Sequence, residues 1–301
     1  MKFDIVYTWV DGSSMEYIKK WNSYAKIKKD TNPERYRDTF QLLKYSIRSI
    51  EKYFNSFNKL YIITASPQVP EWCDLNNNRI QLVHHDEFIP EQYLPTFNSN
   101  VIESFLHRIP GLSDNFVYMN DDFLFGEETS IGRFYNDGKY TIFNTFFGEN
   151  LRWRVYDGYR DLIGLGIIEH TPILINKEFW GNAFNLFPDE AEATRRCKFR
   201  DDRNFFPYKL YRYYMLKYQR ELSRPIPITE LIKISKFHKL TNNLKKQKSF
   251  FSKMEQGETE FYCLNDDMGE KPNKAVVELV KEFLNYKYPN PSFFELKKDS
   301  E

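Results

Sequence analysis

The sequence predicts an α/β fold: a mainly parallel central sheet flanked by helices, with a helical insertion further along the chain. Three observations lead there. Over the first 120 residues, short runs rich in β-branched and aromatic residues alternate with apolar stripes at helical spacing. Their order reads strand, helix, strand, strand, helix, strand, which favours parallel pairing with helices on the sheet faces. Each strand run also ends in polar residues, and open α/β sheets bind ligands beyond the carboxyl ends of their strands.

Taken in order, Phe3 to Val10 is the first strand and stops at Asp11-Gly12. Asp38 to Phe54 reads as a helix, with Phe40, Leu43, Ile47, Ile50 and Phe54 on one stripe and Asp38 and Gln41 at capping-box spacing. LYIIT (60 to 64) and IQLVH (80 to 84) are the next strands. Asn98 to Ile109 is a shorter helix, with Ile102, Phe105 and Ile109 facing inward and Asn100 and Glu103 at cap spacing. FVYM (116 to 119) is the fourth strand. Parallel pairing brings the exits Asp11, Thr64, His84-His85-Asp86 and Asn120-Asp121-Asp122 to one edge.

Beyond Gly126 the pattern weakens. Residues 127 to 165 read as loops and short strands, Glu190 to Leu222 as mostly helical, and the two prolines of Arg224 to Thr229 as a break. Lys233 to Lys253 holds seven lysines and no acid, which fits either a solvated face or a patch for the inner surface of a membrane. Lys274 to Tyr288 is a last helix before PNPSFFE. With no repeat and no clean linker, residues 1–301 are expected to form one catalytic domain, with 190–260 a mostly helical, lysine-rich insertion.

Composition excludes several classes. A formal charge of +1 argues against a nucleic-acid footprint. Cys73, Cys197 and Cys263 are odd in number and lack CxxC spacing, so neither a disulfide framework nor a zinc site is expected and a reducing compartment follows. No segment approaches the ~20 apolar residues that span a bilayer. The expectation is a cytoplasmic protein, or one peripheral at the inner face of the membrane. The 27 Phe and 21 Tyr suit either an aromatic-rich core or sugar-stacking surfaces.

FVYMNDDFLF (116 to 125) sets two adjacent carboxylates between apolar runs, and FYCLNDD repeats the pattern at Asn265, Asp266 and Asp267. Each is either a turn or half of a shared site for Mg²⁺ or Mn²⁺, hard cations that take oxygen ligands and bridge diphosphates. His170, in IIEHTPILI, is either a structural histidine or a proton carrier. RRCKFRDDR (195 to 203) offers guanidinium forks that match phosphate geometry, or pairs them with Asp201 and Asp202 on a solvated helix. Walker, GxGxxG, HExxH and GxSxG motifs are absent from the sequence.

DIVYTWVDGS (4 to 13), RDTFQLLKYSIRSIEKYF (37 to 54) and LPTFNSNVIESFLHRIPGLSDNFVYMNDD (94 to 122) closely resemble the first two conserved regions of the Stealth proteins. Those are hexose-1-phosphate transferases of bacterial capsule and cell-wall polysaccharide synthesis, related to the catalytic subunit of lysosomal N-acetylglucosamine-1-phosphotransferase. HTP (170 to 172) through CKFR (197 to 200) is similar to the third region, and CLNDD (263 to 267) with PNPSFFE to the fourth. The chain departs from the family pattern at Ser14, Gln41 and Pro67.

The resemblance implies a GT-A-like (Rossmann-like) core, with residues 1–126 binding the nucleotide-sugar and 261–301 completing the active site. It implies catalytic roles for Asp121, Asp122, His170 and Arg200, and metal ligation by Asp122 and Asp266. Tyr7, Trp9, Asp11, Gly12, Arg37, Asp38, Thr64, Asn98, Ser99, Glu103 and Asn120 would line the donor pocket. The implied reaction moves a hexose-1-phosphate, for example N-acetylglucosamine-1-phosphate from UDP-GlcNAc, to a hydroxyl of a glycan or lipid-linked glycan. His170 would act as base or as transient nucleophile. The alternative is a metal-dependent glycosyltransferase that releases nucleoside diphosphate.

Overall fold

A computed structural model of the protein describes residues 1–25, 36–143, 170–201, 204–256 and 259–297. Its central sheet has the order β3-β2-β1-β4-β8, built from β1 (Asp4–Thr8), β2 (Leu60–Thr64), β3 (Ile80–His84), β4 (Asn115–Asn120) and β8 (Ile173–Asn176). β3, β2, β1 and β4 run parallel, and β8 closes the edge antiparallel to β4. The mainly parallel α/β core expected from the sequence is therefore what forms, and 3-2-1-4 is the run of strands that spans the switch point of a doubly wound sheet. Ile5, Val6, Ile62, Ile63 and Val117 are wholly buried, which is why these strands read as unbroken apolar runs.

The chain leaves β4 through Asp121 and Asp122 and enters β5 (Phe123–Phe125), which belongs to a second sheet. That sheet has the order β10-β11-β5, with β10 (Ser235–Leu240) parallel and β5 antiparallel to β11 (Phe261–Asp266). The acidic pair thus occupies the corner between two sheets. Gly126 follows β5 where a Cβ would lie 2.1 Å from the Thr259 carbonyl, so only glycine fits there. A third sheet joins β6 (Tyr135–Asn136), β7 (Lys139–Phe143) and β9 (Ser223–Ile226).

Helices α1 (Met15–Tyr24), α2 (Leu42–Tyr53) and α3 (Ser99–Ser104) belong to the first half of the chain. α4 (Lys177–Phe184), α5 (Pro188–Arg195), α6 (Pro207–Tyr218), α7 (Ile228–Ile234), α8 (Leu244–Gln256) and α9 (Lys274–Lys287) follow.

Four differences from the sequence reading have physical causes. α2 begins four residues later than expected, because Gln41 is left-handed (φ 51°) and closes a turn onto the Asp38 carbonyl. The helix expected over 98–109 is α3 followed by a 3-10 turn (Leu106–Arg108), since Phe105 has ψ near 2°. Pro225 lies inside β9, not in a break, because β9 is an edge strand and spends no amide on an outer neighbour. Within 190–260, β9 and β10 stand among the helices, and the lysine run contains β10, whose His238 and Leu240 are buried. Residues 144 to 165 of the predicted loop region, with Asp202 and Arg203, lie outside the described residues.

Candidate active site

A cavity of about 220 Å³ opens at the carboxyl edge of β1 and β4, and Trp9, Ser99, Glu103, Asn120, Asp121, Asp122, His170 and Arg200 all line it. Eight residues expected from the sequence, drawn from four separate stretches, therefore converge. A second space of about 430 Å³ adjoins it beyond β2 and β3, sharing Tyr17, His85, Thr96 and Phe97.

Asp122 is held asymmetrically. Its Oδ2 accepts from the Cys263 thiol (3.1 Å) and from the Asn265 amide (3.3 Å), whereas its buried Oδ1 has no hydrogen-bond partner. Its carbonyl takes the Leu264 amide at 3.0 Å. The two NDD segments thus meet, through Asn265 of the expected motif and through Cys263, which lies outside it. Strand alternation is the reason: Asn265 faces Asp122, so the next residue, Asp266, faces away. Asp266 is buried against Arg37, whose Nε and Nη2 reach its two oxygens at 3.0 and 3.3 Å, and its Oδ1 also takes the Met268 amide. Asp266, expected as a metal ligand, and Arg37, expected in the donor pocket, are here paired with each other, and neither lines the cavity.

Burial pushes the Asp121 carboxyl well above the usual carboxylate range, and the charges of Asp122 and Asp38 add to it. Asp38 rises to about 7, again through burial and then the Asp11 charge. Carboxylates crowded in this way, one with a buried oxygen that accepts nothing, form a donor set suited to a hard cation. Among the described residues no group of three or more His, Cys, Asp or Glu side chains is disposed to hold a metal. An ion here would rest on Asp121 and Asp122 and draw its other oxygens from substrate, as Mg²⁺ commonly does.

His170 lies on the ring of Phe237 (centroids 4.5 Å apart, planes at 26°) and meets Phe123 edge-on at 6.2 Å. Burial lowers its pKa and Arg200 lowers it further, against the pull of Asp122, so the imidazole is held neutral and able to accept a proton. Arg200 donates from Nε to the Ser99 hydroxyl at 3.0 Å. Beneath it, Thr8 and Tyr118 share a hydrogen bond of 2.8 Å, and Tyr118 donates to Glu103 at 3.3 Å. Burial raises Glu103 to about 7, with Arg200 pulling the other way. The unfolded chain releases this proton near the ordinary carboxylate value, so Glu103 costs stability as pH rises from there through about 7. Glu103→Gln is accordingly expected to raise the melting temperature at pH 8 by a few degrees and to leave it unchanged at pH 4, measured by calorimetry.

Other predicted residues support the cavity from outside. Asn98 is fully buried and donates to the Cys197 and Phe199 carbonyls (3.2 Å each) and to Asn204 (2.8 Å), pinning the loop that carries Arg200. Tyr7 lies below the floor, hydrogen-bonded to Ser46 at 2.7 Å, and Ser46 in turn donates to the Phe123 carbonyl. Asp11 accepts from the Ser13 amide and hydroxyl, Gly12 donates to the Tyr36 carbonyl, and Thr64 is buried with its hydroxyl unpartnered. Of the basic cluster, Arg200 alone among the described residues enters the cavity. Arg195 lies over Phe105, Arg196 pairs with Glu192, and Lys198 donates to the Leu94 carbonyl.

A parallel sheet with an acid, imidazole and guanidinium cluster at its carboxyl edge defines an α/β protein with a polar catalytic cavity. The chain belongs to the Stealth family: family models for Stealth conserved regions 1, 2 and 4 match residues 1–28, 35–143 and 253–301 in that order. An exopolysaccharide phosphotransferase, cps2G of Lactiplantibacillus plantarum, is 27% identical over 97% of this chain and 96% of its own length. The capsular polysaccharide phosphotransferase SacB of Neisseria meningitidis serogroup A is 31% identical over 97% of this chain and 56% of its own. A capsular polysaccharide phosphotransferase of Streptococcus thermophilus, CpsJ, is 40% identical over 45% of this chain and 58% of its own. The chain therefore spans little more than half the length of the latter two relatives. Among solved structures, the galactosyltransferase LgtC aligns over 94% of this chain and 96% of its own with 11% identity and a TM-score of 0.47. The glycosyltransferase GlyE of Streptococcus pneumoniae aligns over 97% and 65%, at 11% identity and a TM-score of 0.43.

Proposed function

We propose that this protein transfers a hexose-1-phosphate from a nucleotide-sugar to a hydroxyl of a glycan acceptor and releases nucleoside monophosphate, in the synthesis of a bacterial surface polysaccharide. The observation that carries the reading is the convergence of Asp121, Asp122, His170 and Arg200 on one cavity, in a chain whose relatives are capsular and exopolysaccharide phosphotransferases. UDP-GlcNAc is the donor we would try first.

Phosphoryl transfer of this kind leans on positioning and on neutralising charge spread over the phosphate oxygens. Arg200, fixed on Ser99, offers its guanidinium fork to those oxygens. His170, kept neutral by burial and Arg200, accepts the proton of the acceptor hydroxyl as that oxygen attacks the phosphorus next to the sugar. Cys263 and Asn265 fix Asp122 so that its free oxygen faces one way only. Mg²⁺ or Mn²⁺ held by Asp121 and Asp122 would supply positive charge to the diphosphate. No helix among the described residues is long and apolar enough to cross a membrane; attachment at its inner face through the lysines of α8 belongs to this proposal as well.

The deciding experiment incubates the protein with UDP-GlcNAc and other nucleotide-sugars in Mg²⁺ or Mn²⁺ and identifies the nucleotide released. Monophosphate is expected, with loss of turnover in EDTA; diphosphate would instead mark an ordinary glycosyltransferase. A second prediction concerns Cys263, whose thiol burial and the Asp122 charge keep protonated. Cys263→Ala removes one donor to Asp122 and is expected to lower turnover roughly fivefold, since a hydrogen bond is worth ~1 kcal/mol. Cys263→Ser keeps a donor and should restore most of it.

A further inference from the structure

We infer that Phe237 is the platform on which a hexose unit of the acceptor stacks, an inference that rests on the glycan acceptor of the proposed reaction. The argument begins with register. Phe237 pairs with Cys263 across β10 and β11, and Cys263 pairs with Phe123 across β11 and β5. Registered residues point to one face of a sheet, so these three form a row. Both ends of that row meet the His170 ring, and its middle member bonds Asp122. The row therefore backs His170 and Asp122, which line the catalytic cavity, and continues outward onto the edge strand β10.

At the outer end the row is aromatic and open. Phe237 remains 46% exposed although Phe123 and Cys263 in the same row are buried, and its neighbours Lys236 and Lys239 are polar and exposed. One face of its ring is covered by His170, and nearly half of the residue remains open to solvent. The ring is stacked on the imidazole of the site and still partly open, so it presents an aromatic surface directly beside the reacting groups. A pyranose fits: it presents a flat set of polarised C–H groups to the electron-rich face of the ring and keeps its hydroxyls at the perimeter. A hexose on the uncovered face lies across the ring from His170, so it would anchor a neighbouring unit of the glycan whose hydroxyl reaches the imidazole past the ring edge. The aromatic excess in the composition is thus mostly core, with this ring as the part that meets carbohydrate.

Saturation-transfer NMR tests this without turnover, using a panel of methyl glucosides, galactosides, mannosides and N-acetylglucosaminides. The wild-type protein is expected to transfer saturation to the ring protons of at least one member. Phe237→Ala should lose that transfer and Phe237→Trp keep it, with UDP-GlcNAc binding by calorimetry and the melting temperature unchanged in both. With a glycan that also serves as acceptor, Phe237→Ala should raise its KM roughly two- to tenfold, and Phe237→Trp should keep it near the wild-type value. Absence of transfer to every sugar in the wild type overturns the inference. So does unchanged transfer in Phe237→Ala accompanied by slower turnover, which would make Phe237 only a support for His170. Diphosphate release would sink the phosphotransferase reading while leaving the saturation-transfer result standing.

Discussion

Asp122→Asn is expected to lower turnover by roughly 100- to 1,000-fold, the scale for loss of one preorganised electrostatic group, while the protein folds as before. The asymmetric holding of Asp122 makes the substitution unusually informative. Cys263 and Asn265 both donate to Oδ2, so the carbonyl oxygen of an asparagine will take that place. Its NH₂ group must then point where Oδ1, buried and unpartnered, points now. A single isosteric change thereby converts the free acceptor into a donor and removes the charge. Cation binding should weaken with it, readable by Mn²⁺ titration in the presence of donor. The melting temperature should hold or rise, because Asp121 loses its nearest repulsive charge, and the Asp121 carboxyl should move down toward its ordinary range. Full turnover in this variant, or intact Mn²⁺ affinity, would remove Asp122 from the site's chemistry.

Much of this arrangement could be read from the chain because parallel strands buried on both faces advertise themselves. Runs such as LYIIT and FVYM admit few other structures, and the polarity of their exits marked one edge in advance. What stayed hidden depended on facing. Adjacent residues of a strand point opposite ways, so the pattern NDD does not say whether Asn265 or Asp266 looks at Asp122; only the register of β11 against β5 decides it. Cys263 lies two residues before Asn265, hence on the same face, and that offset was the available signal. β10 was masked by its lysines, which cover the alternation of Phe237, His238 and Leu240. Asn98, expected at the pocket, works one layer beneath it, a distinction that burial makes and composition does not.

Arg200→Ala is expected to cost at least ~100-fold in turnover if preorganised charge dominates the barrier, and the surroundings of Arg200 show why this would report chemistry more than folding. Its loop is held by its neighbours. Asn98 makes three hydrogen bonds to residues 197 to 204, and the Phe97 amide donates to the Lys198 carbonyl at 2.8 Å. Phe199 is stacked on Phe97 at 5.1 Å and meets Trp21 edge-on at 5.6 Å. Truncating an exposed side chain leaves all of these contacts in place. Arg200→Lys keeps the charge but not the planar fork, so it should recover only part of the loss. The same variants carry a second readout. Arg200 now lowers the pKa of His170 and holds that of Glu103 down against burial. Its removal should therefore raise both, moving the His170 titration toward neutrality when followed by ¹³C or ¹⁵N NMR, with Arg200→Lys close to wild type. An Arg200→Ala variant with unaltered turnover and an unmoved His170 would place the guanidinium outside the reacting centre.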